Sequence, residues 1–136
     1  MMWRQISQQA SSFVVIGSIG FATDGGVLIF LNSLFGLDLL SARLFSFSVA
    51  VTLTWYLNRQ HTFSGKKDKQ VFREWARYVV VNGLGALLNL AIFFWLIFRF
   101  NALANSPLVP LAIASAVALF FNFFSSKYIA FRGTHR

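Results

Sequence analysis

Apolar residues run through this chain in four long blocks, 12–35, 39–57, 75–98 and 107–128, with polar residues confined to short stretches between and beside them. A helix needs about 20 mainly apolar residues to cross the hydrocarbon core of a bilayer, and each block meets or nearly meets that length. The pattern predicts an all-α polytopic membrane protein with four transmembrane helices in a single domain covering residues 1–136. The composition agrees, with 57% hydrophobic, 18% aromatic and only 12% charged residues and a mean hydropathy of +0.62. A soluble domain of this size has too little interior to hide so much apolar surface. The longest polar stretch, 58–74, is 17 residues and leaves no room for a soluble catalytic domain. Arg4 followed by an apolar run has the outline of a signal peptide. Asp24 interrupts that run and no small-residue cleavage site follows, so the block reads as a retained first helix.

The net charge of +8 would point to nucleic acid in a soluble protein, but here its distribution explains it. Arg4 lies in the N-terminal stretch. Arg59, Lys66, Lys67, Lys69, Arg73 and Arg77 lie around the central connection, and Lys127, Arg132 and Arg136 towards the C-terminal end. The two hairpin ends hold only Arg43 and Arg99. The positive-inside rule therefore places both termini and the central connection in the cytoplasm, with the two short hairpin turns outside. The basic face would also attract anionic lipid headgroups.

The chain reads as a duplication. Residues 13–31 align with 78–96 at an offset of 65, with 4 identities in 19, and residues 39–65 align with 107–133 at an offset of 68, with 5 in 27. Any two apolar helices resemble each other to some degree. The shared polar positions and the shared ending favour duplication: Gly20 meets Gly85, Asp24 meets Asn89, Arg59 meets Lys127, Phe63 meets Phe131 and Gly65 meets Gly133. Two spans per half means that both halves enter from the same side, as two parallel hairpin repeats rather than inverted ones. Four spans enclose little cavity, so a homo-oligomer could supply further helices.

Within the apolar blocks a few polar residues stand out. Asp24 falls near the middle of the first span, where an aspartate costs about 2.5–3.5 kcal/mol on insertion, so it should face protein or a wet cavity. Gly17, Gly20 and Asp24 share one helix face, and Asn82, Gly85 and Asn89 repeat that spacing on the third helix. Small residues there allow close approach and polar ones hydrogen-bond across. The competing readings are interhelical glue and a polar track, with function favoured for Asp24 and glue for Asn82 and Asn89. Arg43 could snorkel outward or bend towards Asp24.

Thr54 and Asn58 are i, i+4 neighbours on the second helix, and their offset partners are Asn122 and Ser126. Arg59 and Lys127 sit beside these stripes. A phosphate suits such a setting, Arg binding it bidentately and Lys as a point charge. For Lys127 ordinary snorkelling is the stronger reading. Trp55, Tyr56, Trp75 and Tyr78 read mostly as an interfacial aromatic belt. The candidate lipid-phosphate site is thus Arg59, Asn58 and Lys127, and the candidate intramembrane track is Asp24, Asn89, Asn82, Asn122 and Thr54. There are no cysteines, and His61 and His135 form no cluster, so no metal or other cofactor is expected. The four acids, Asp24, Asp38, Asp68 and Glu74, provide no pair suited to acid–base work, so an enzyme is not expected.

At these residues the chain resembles the GtrA-like family of small four-helix membrane proteins. The resemblance rests on F-V-V-I-G-S-I-G-F-A-T-D (13–24), A-R-L-F-S-F (42–47), Y-L-N-R-Q-H-T-F (56–63), and Phe72-Arg73 followed by Trp75 and Tyr78. It covers nearly the whole chain. His61 departs from the family's N-R-x-W-T-F pattern, which has tryptophan there. The resemblance implies a bacterial cytoplasmic-membrane protein that moves a polyprenyl-phosphate-linked sugar, such as undecaprenyl-phosphate-glucose, to the outer leaflet. The sugar then decorates O-antigen, teichoic acid or arabinan-type polymers. It also implies a membrane glycosyltransferase as neighbour. The rival expectations are a non-transporting subunit that organises that glycosyltransferase, and a small proton-coupled exporter using Asp24.

Overall fold

The computed structural model of the protein describes residues 1–106 and 108–132. Pro107, the expected start of the fourth span, and Gly133, His135 and Arg136 lie outside the described residues. The described residues form four α-helices: α1 (Met2–Ile29), α2 (Leu39–Leu57), α3 (Val71–Arg99) and α4 (Leu108–Ser125). Among the described residues there is no strand. With the turns that extend them, four segments are long and apolar enough to cross a membrane: Met2–Leu34, Leu39–Thr62, Val71–Arg99 and Leu108–Ala130. The protein is a multi-pass membrane protein.

Helix α1 begins well before the apolar block. Residues 2–10, polar in sequence, continue the helix because they contain neither glycine nor proline, and each added residue gains a hydrogen bond once the helix exists. Helices α1, α2 and α4 do not stop at their last α turn. Each widens into a π-helical turn, at Phe30–Leu34, Asn58–Thr62 and Ser126–Ala130 respectively.

The chain divides into two compact units, residues 1–71 and 72–132. In the first, α1 packs along α2. Their connection turns on Gly36, whose φ of +66° lies in the left-handed region that a residue with a Cβ rarely adopts. The Leu37 amide returns to the Leu31 carbonyl at 3.2 Å, and Asn32 donates its amide to the Leu37 carbonyl at 3.0 Å. Asp38 then caps α2, its carboxylate accepting the Ser41 amide at 3.1 Å. In the second unit, α3 and α4 are joined through the short helical turn Asn101–Asn105.

Each unit has one place where a glycine lets its helices close. A Cβ on Gly20 would overlap the Thr54 methyl, and a Cβ on Gly85 would overlap the Asn122 carboxamide. Gly17, by contrast, faces open space, so it does not share the close-approach role of Gly20.

Candidate functional site

The π turns build the candidate site. In the first unit the Phe63 amide closes an i→i+5 bond on the Asn58 carbonyl at 2.8 Å, and in the second the Phe131 amide closes the equivalent bond on Ser126 at 2.8 Å. These five-residue turns carry Arg59 and Lys127 at the same position. Each is anchored by a buried aromatic edge contact. Phe63 meets Phe13 with ring centroids 6.3 Å apart, and Phe131 meets Tyr78 at 5.7 Å. Phe13 and Tyr78 are partners at the 65-residue offset, as Phe63 and Phe131 are at the 68-residue offset. Tyr78 is therefore a core residue of its unit rather than part of an aromatic belt.

In the first unit a chain of hydroxyls and an amide fixes the turn. The Thr62 hydroxyl donates to Asn58 Oδ1 at 2.8 Å, and Ser12 on α1 lies 2.7 Å from the same hydroxyl. Asn58 is only 1% exposed. Its carboxamide oxygen is turned inward to Thr62, which makes Asn58 a support for the turn that presents Arg59. Arg59, half-buried, donates through Nη2 to the Asp68 carbonyl at 2.9 Å. Asp68 is buried, and its carboxylate accepts the Gln70 amide at 2.9 Å just before α3. The connection between α2 and α3 is thus folded back onto the arginine.

In the second unit Arg77 on α3 takes over the role that Ser12 has in the first, donating to the Ala130 carbonyl from Nη2 at 3.1 Å and from Nε at 3.4 Å. Lys127 is 6% exposed, with its ammonium 5.6 Å from the Tyr128 ring centroid. Snorkelling would leave that ammonium in water, so the structure replaces the snorkelling expected from sequence with a buried cation. Glu74, in the first turn of α3, is fully buried as well. A carboxylate there complements the positive end of the helix.

The intramembrane residues fall into distinct settings. Asp24 accepts a 2.9 Å ion pair from Arg43 Nη1, so Arg43 bends inward. The side chains are 17% and 56% exposed respectively, and Asp24 Oδ1 is buried with no hydrogen-bond partner among the described residues. Asn89 reaches Ser115 across its own unit at 3.5 Å, a long and weak bond. Asn82 instead donates to the Tyr78 carbonyl of its own helix at 2.9 Å. Thr54 likewise turns its hydroxyl to the Val51 carbonyl at 3.1 Å and offers its methyl to Gly20. Asn122 Oδ1 on α4 and Ser126 Oγ at the start of the π turn that follows it are buried without a hydrogen-bond partner among the described residues.

Sequence reasoning missed Asp68, Glu74 and the network of Ser12 with Thr62. A serine ahead of the first apolar residues and a threonine four after Asn58 were available as signals, but the contact joins residues 50 positions apart. Among the described residues no group of His, Cys, Asp and Glu could hold a metal ion.

This arrangement defines a class: a small polytopic membrane protein made of two helix hairpins, each closed by a cation-bearing π turn. The family model described as GtrA/DPMS, transmembrane domain, matches residues 12–131, and the chain belongs to that family. Membership points to the handling of polyprenyl-phosphate-linked sugars. No curated protein matches the chain.

Proposed function

We propose that the protein moves a polyprenyl-phosphate-linked monosaccharide from the cytoplasmic to the outer leaflet of the bacterial cytoplasmic membrane. Both termini would lie in the cytoplasm, as the basic distribution favours. The observation that carries this reading is the π turn of residues 58–62. It holds a half-buried Arg59 where an apolar span gives way to a polar connection, a setting that suits a lipid phosphate. Arg59 captures the phosphate and Asn58 holds the turn in shape, while Lys127, at the matching position of the second unit's turn, is buried. Asp24 and Asn89 face the sugar hydroxyls or water during passage, while the prenyl tail stays in lipid. Fixed polar groups replace the water that the headgroup gives up, and so lower the cost of crossing. No cofactor enters this scheme.

Arg59→Ala should weaken capture of the lipid about tenfold or more, as expected for a charge-assisted contact. Asp24→Asn should leave capture intact and slow movement. Both are read by lipid binding to the protein in nanodiscs and by a leaflet-exposure assay in proteoliposomes. Two variants indistinguishable from wild type in both assays would refute the assignment. Removing the protein from its host should leave synthesis of the lipid-linked sugar intact and trap it on the inner leaflet. Loss of synthesis would instead support a subunit that organises a glycosyltransferase. The Asp24–Arg43 pair favours neither rival, and it makes Asp24 an anchored residue rather than the lone carboxylate that a proton-coupled exporter would use.

A further inference from the structure

The first unit contains two cavities that share a wall. One, about 250 Å³, is lined by Gln5, Gln8 and Gln9 of α1, Ser12, and His61 and Thr62 of the π turn. The other, about 440 Å³, is lined by Val15, Ile16 and Ile19 of α1 and Leu57 of α2, and again by Ser12 and His61. The lining changes from amides and hydroxyls to aliphatic groups across those two shared residues.

The position of that change is informative. In sequence, the apolar block of α1 begins at Ser12, directly after the polar stretch that carries the three glutamines. The polar-to-apolar boundary of the helix and the boundary between the cavities therefore coincide. A groove lined by exposed Val15 and Ile19 on a membrane-spanning helix lies among lipid chains. What fits both cavities at once is an amphiphile with a hydroxyl-rich head and an apolar tail. Among the described residues lining the polar cavity, the only ionisable side chain is His61. Carboxamides and hydroxyls, each able to donate and accept, match sugar hydroxyls better than they match a phosphate.

The geometry points to a subsite for the sugar of a lipid-linked sugar, formed by Gln5, Gln8, Ser12 and His61, with the linking phosphate at the shared wall of Ser12 and His61 and the adjoining α1 groove holding the first part of the prenyl chain. This rests on the reading that the cargo is a lipid-linked sugar. It adds that the sugar is bound by the membrane-entry segment of α1 and not only by the phosphate site at Arg59. Gln5 and Gln8, in the polar start of α1, then belong to the binding site.

The test compares two probes on the full-length protein in nanodiscs of bulk phospholipid: polyprenyl phosphate and polyprenyl-phosphate-glucose. Gln5 and Gln8 are exposed, so the double variant Gln5→Leu/Gln8→Leu should fold, with its helicity checked by circular dichroism. The expected result is about a tenfold loss of affinity for the glycosylated lipid, with affinity for the unglycosylated lipid unchanged. Arg59→Ala should weaken both. A double variant that binds both lipids like wild type would overturn the subsite while leaving the translocation reading standing. Equal loss of both lipids would overturn it too, because the pocket would then not read the sugar. Wild-type protein that prefers neither probe over bulk phospholipid would instead refute the translocation reading itself.

Discussion

The two hairpins share a frame and differ in what they put into it. Three contacts recur at matched positions: Phe13 on Phe63 and Tyr78 on Phe131, Gly20 against Thr54 and Gly85 against Asn122, and Ser12 with Thr62 and Arg77 with Ala130. Helical periodicity alone would not reproduce all three across two offsets, so they argue for a common ancestor of the two halves more strongly than the few identities do. The differences are chemical. The first hairpin links its two helices with an ion pair, Asp24 to Arg43, where the second uses a neutral amide and a hydroxyl, Asn89 to Ser115. The first closes its turn with hydroxyls, the second with a guanidinium on a carbonyl. The two hairpins share a backbone solution and differ in their polar contents.

The largest expected effect breaks the charged member of this comparison. Arg43→Ala strands Asp24 within an apolar span, and stability should fall by about 3 kcal/mol, the cost of a lone mid-span aspartate. Asp24→Asn/Arg43→Gln should recover most of that, giving the first hairpin the neutral chemistry of the second. Unfolding from mixed micelles measures both. Full stability of the single variant would mean that the pair contributes nothing to the hairpin.

Next come the glycines. Gly85→Ala must displace the Asn122 carboxamide and should cost about 1–3 kcal/mol, whereas Gly83→Ala meets open space and should stay within about 0.5 kcal/mol. Gly20→Ala should resemble Gly85→Ala, because the Thr54 methyl stands in the same place. Equal tolerance at residues 83 and 85 would show that the second hairpin is looser than its frame implies. Thr62→Val tests the turn itself. It removes the hydroxyl that donates to Asn58 Oδ1, and should cost about 0.5–1.5 kcal/mol. Its offset partner is already Ala130, so the second hairpin shows that the turn forms without that hydroxyl when an arginine holds it.

Much of this frame is legible in the sequence, and the reasons are local. Four spans follow from block length alone, and the offsets of 65 and 68 pair residues whose contacts the fold then repeats. What could not be read is direction. Thr54 and Asn58 were expected to present polar atoms along a stripe, but a threonine hydroxyl can satisfy its own helix and an asparagine can turn to the next turn's hydroxyl, and both do. Asn82 does the same with Tyr78. Burial of Lys127 and Glu74 was equally hidden, since a charged residue near a span end is ordinarily solvated and nothing in its neighbours reveals otherwise. The extension of α1 back to Met2 was masked by polarity, because a helix outside the apolar core needs no hydrophobic signal.

The smallest effect separates the two hairpin turns. Asp38 caps α2 in the first, and hydrogen bonding of its carboxylate by Ser41 holds its pKa below the usual carboxylate value. A group whose folded pKa is lowered stabilises the fold above its unfolded pKa, near 3.9, and that contribution disappears as pH falls through the lower folded value. The second turn, residues 100–107, contains no acid and has nothing to titrate there. Acidification from pH 5 downward should therefore loosen the first turn and leave the second unaffected, with protection of the Ser41 amide, relative to its intrinsic exchange rate at each pH, falling while protection of the Leu103 and Ser106 amides stays flat. Asp38→Asn keeps a capping oxygen but removes the titration, so its Ser41 protection should not depend on acid. Acid-sensitive protection persisting in that variant would assign the effect to another group and leave the two turns equivalent in their response to pH.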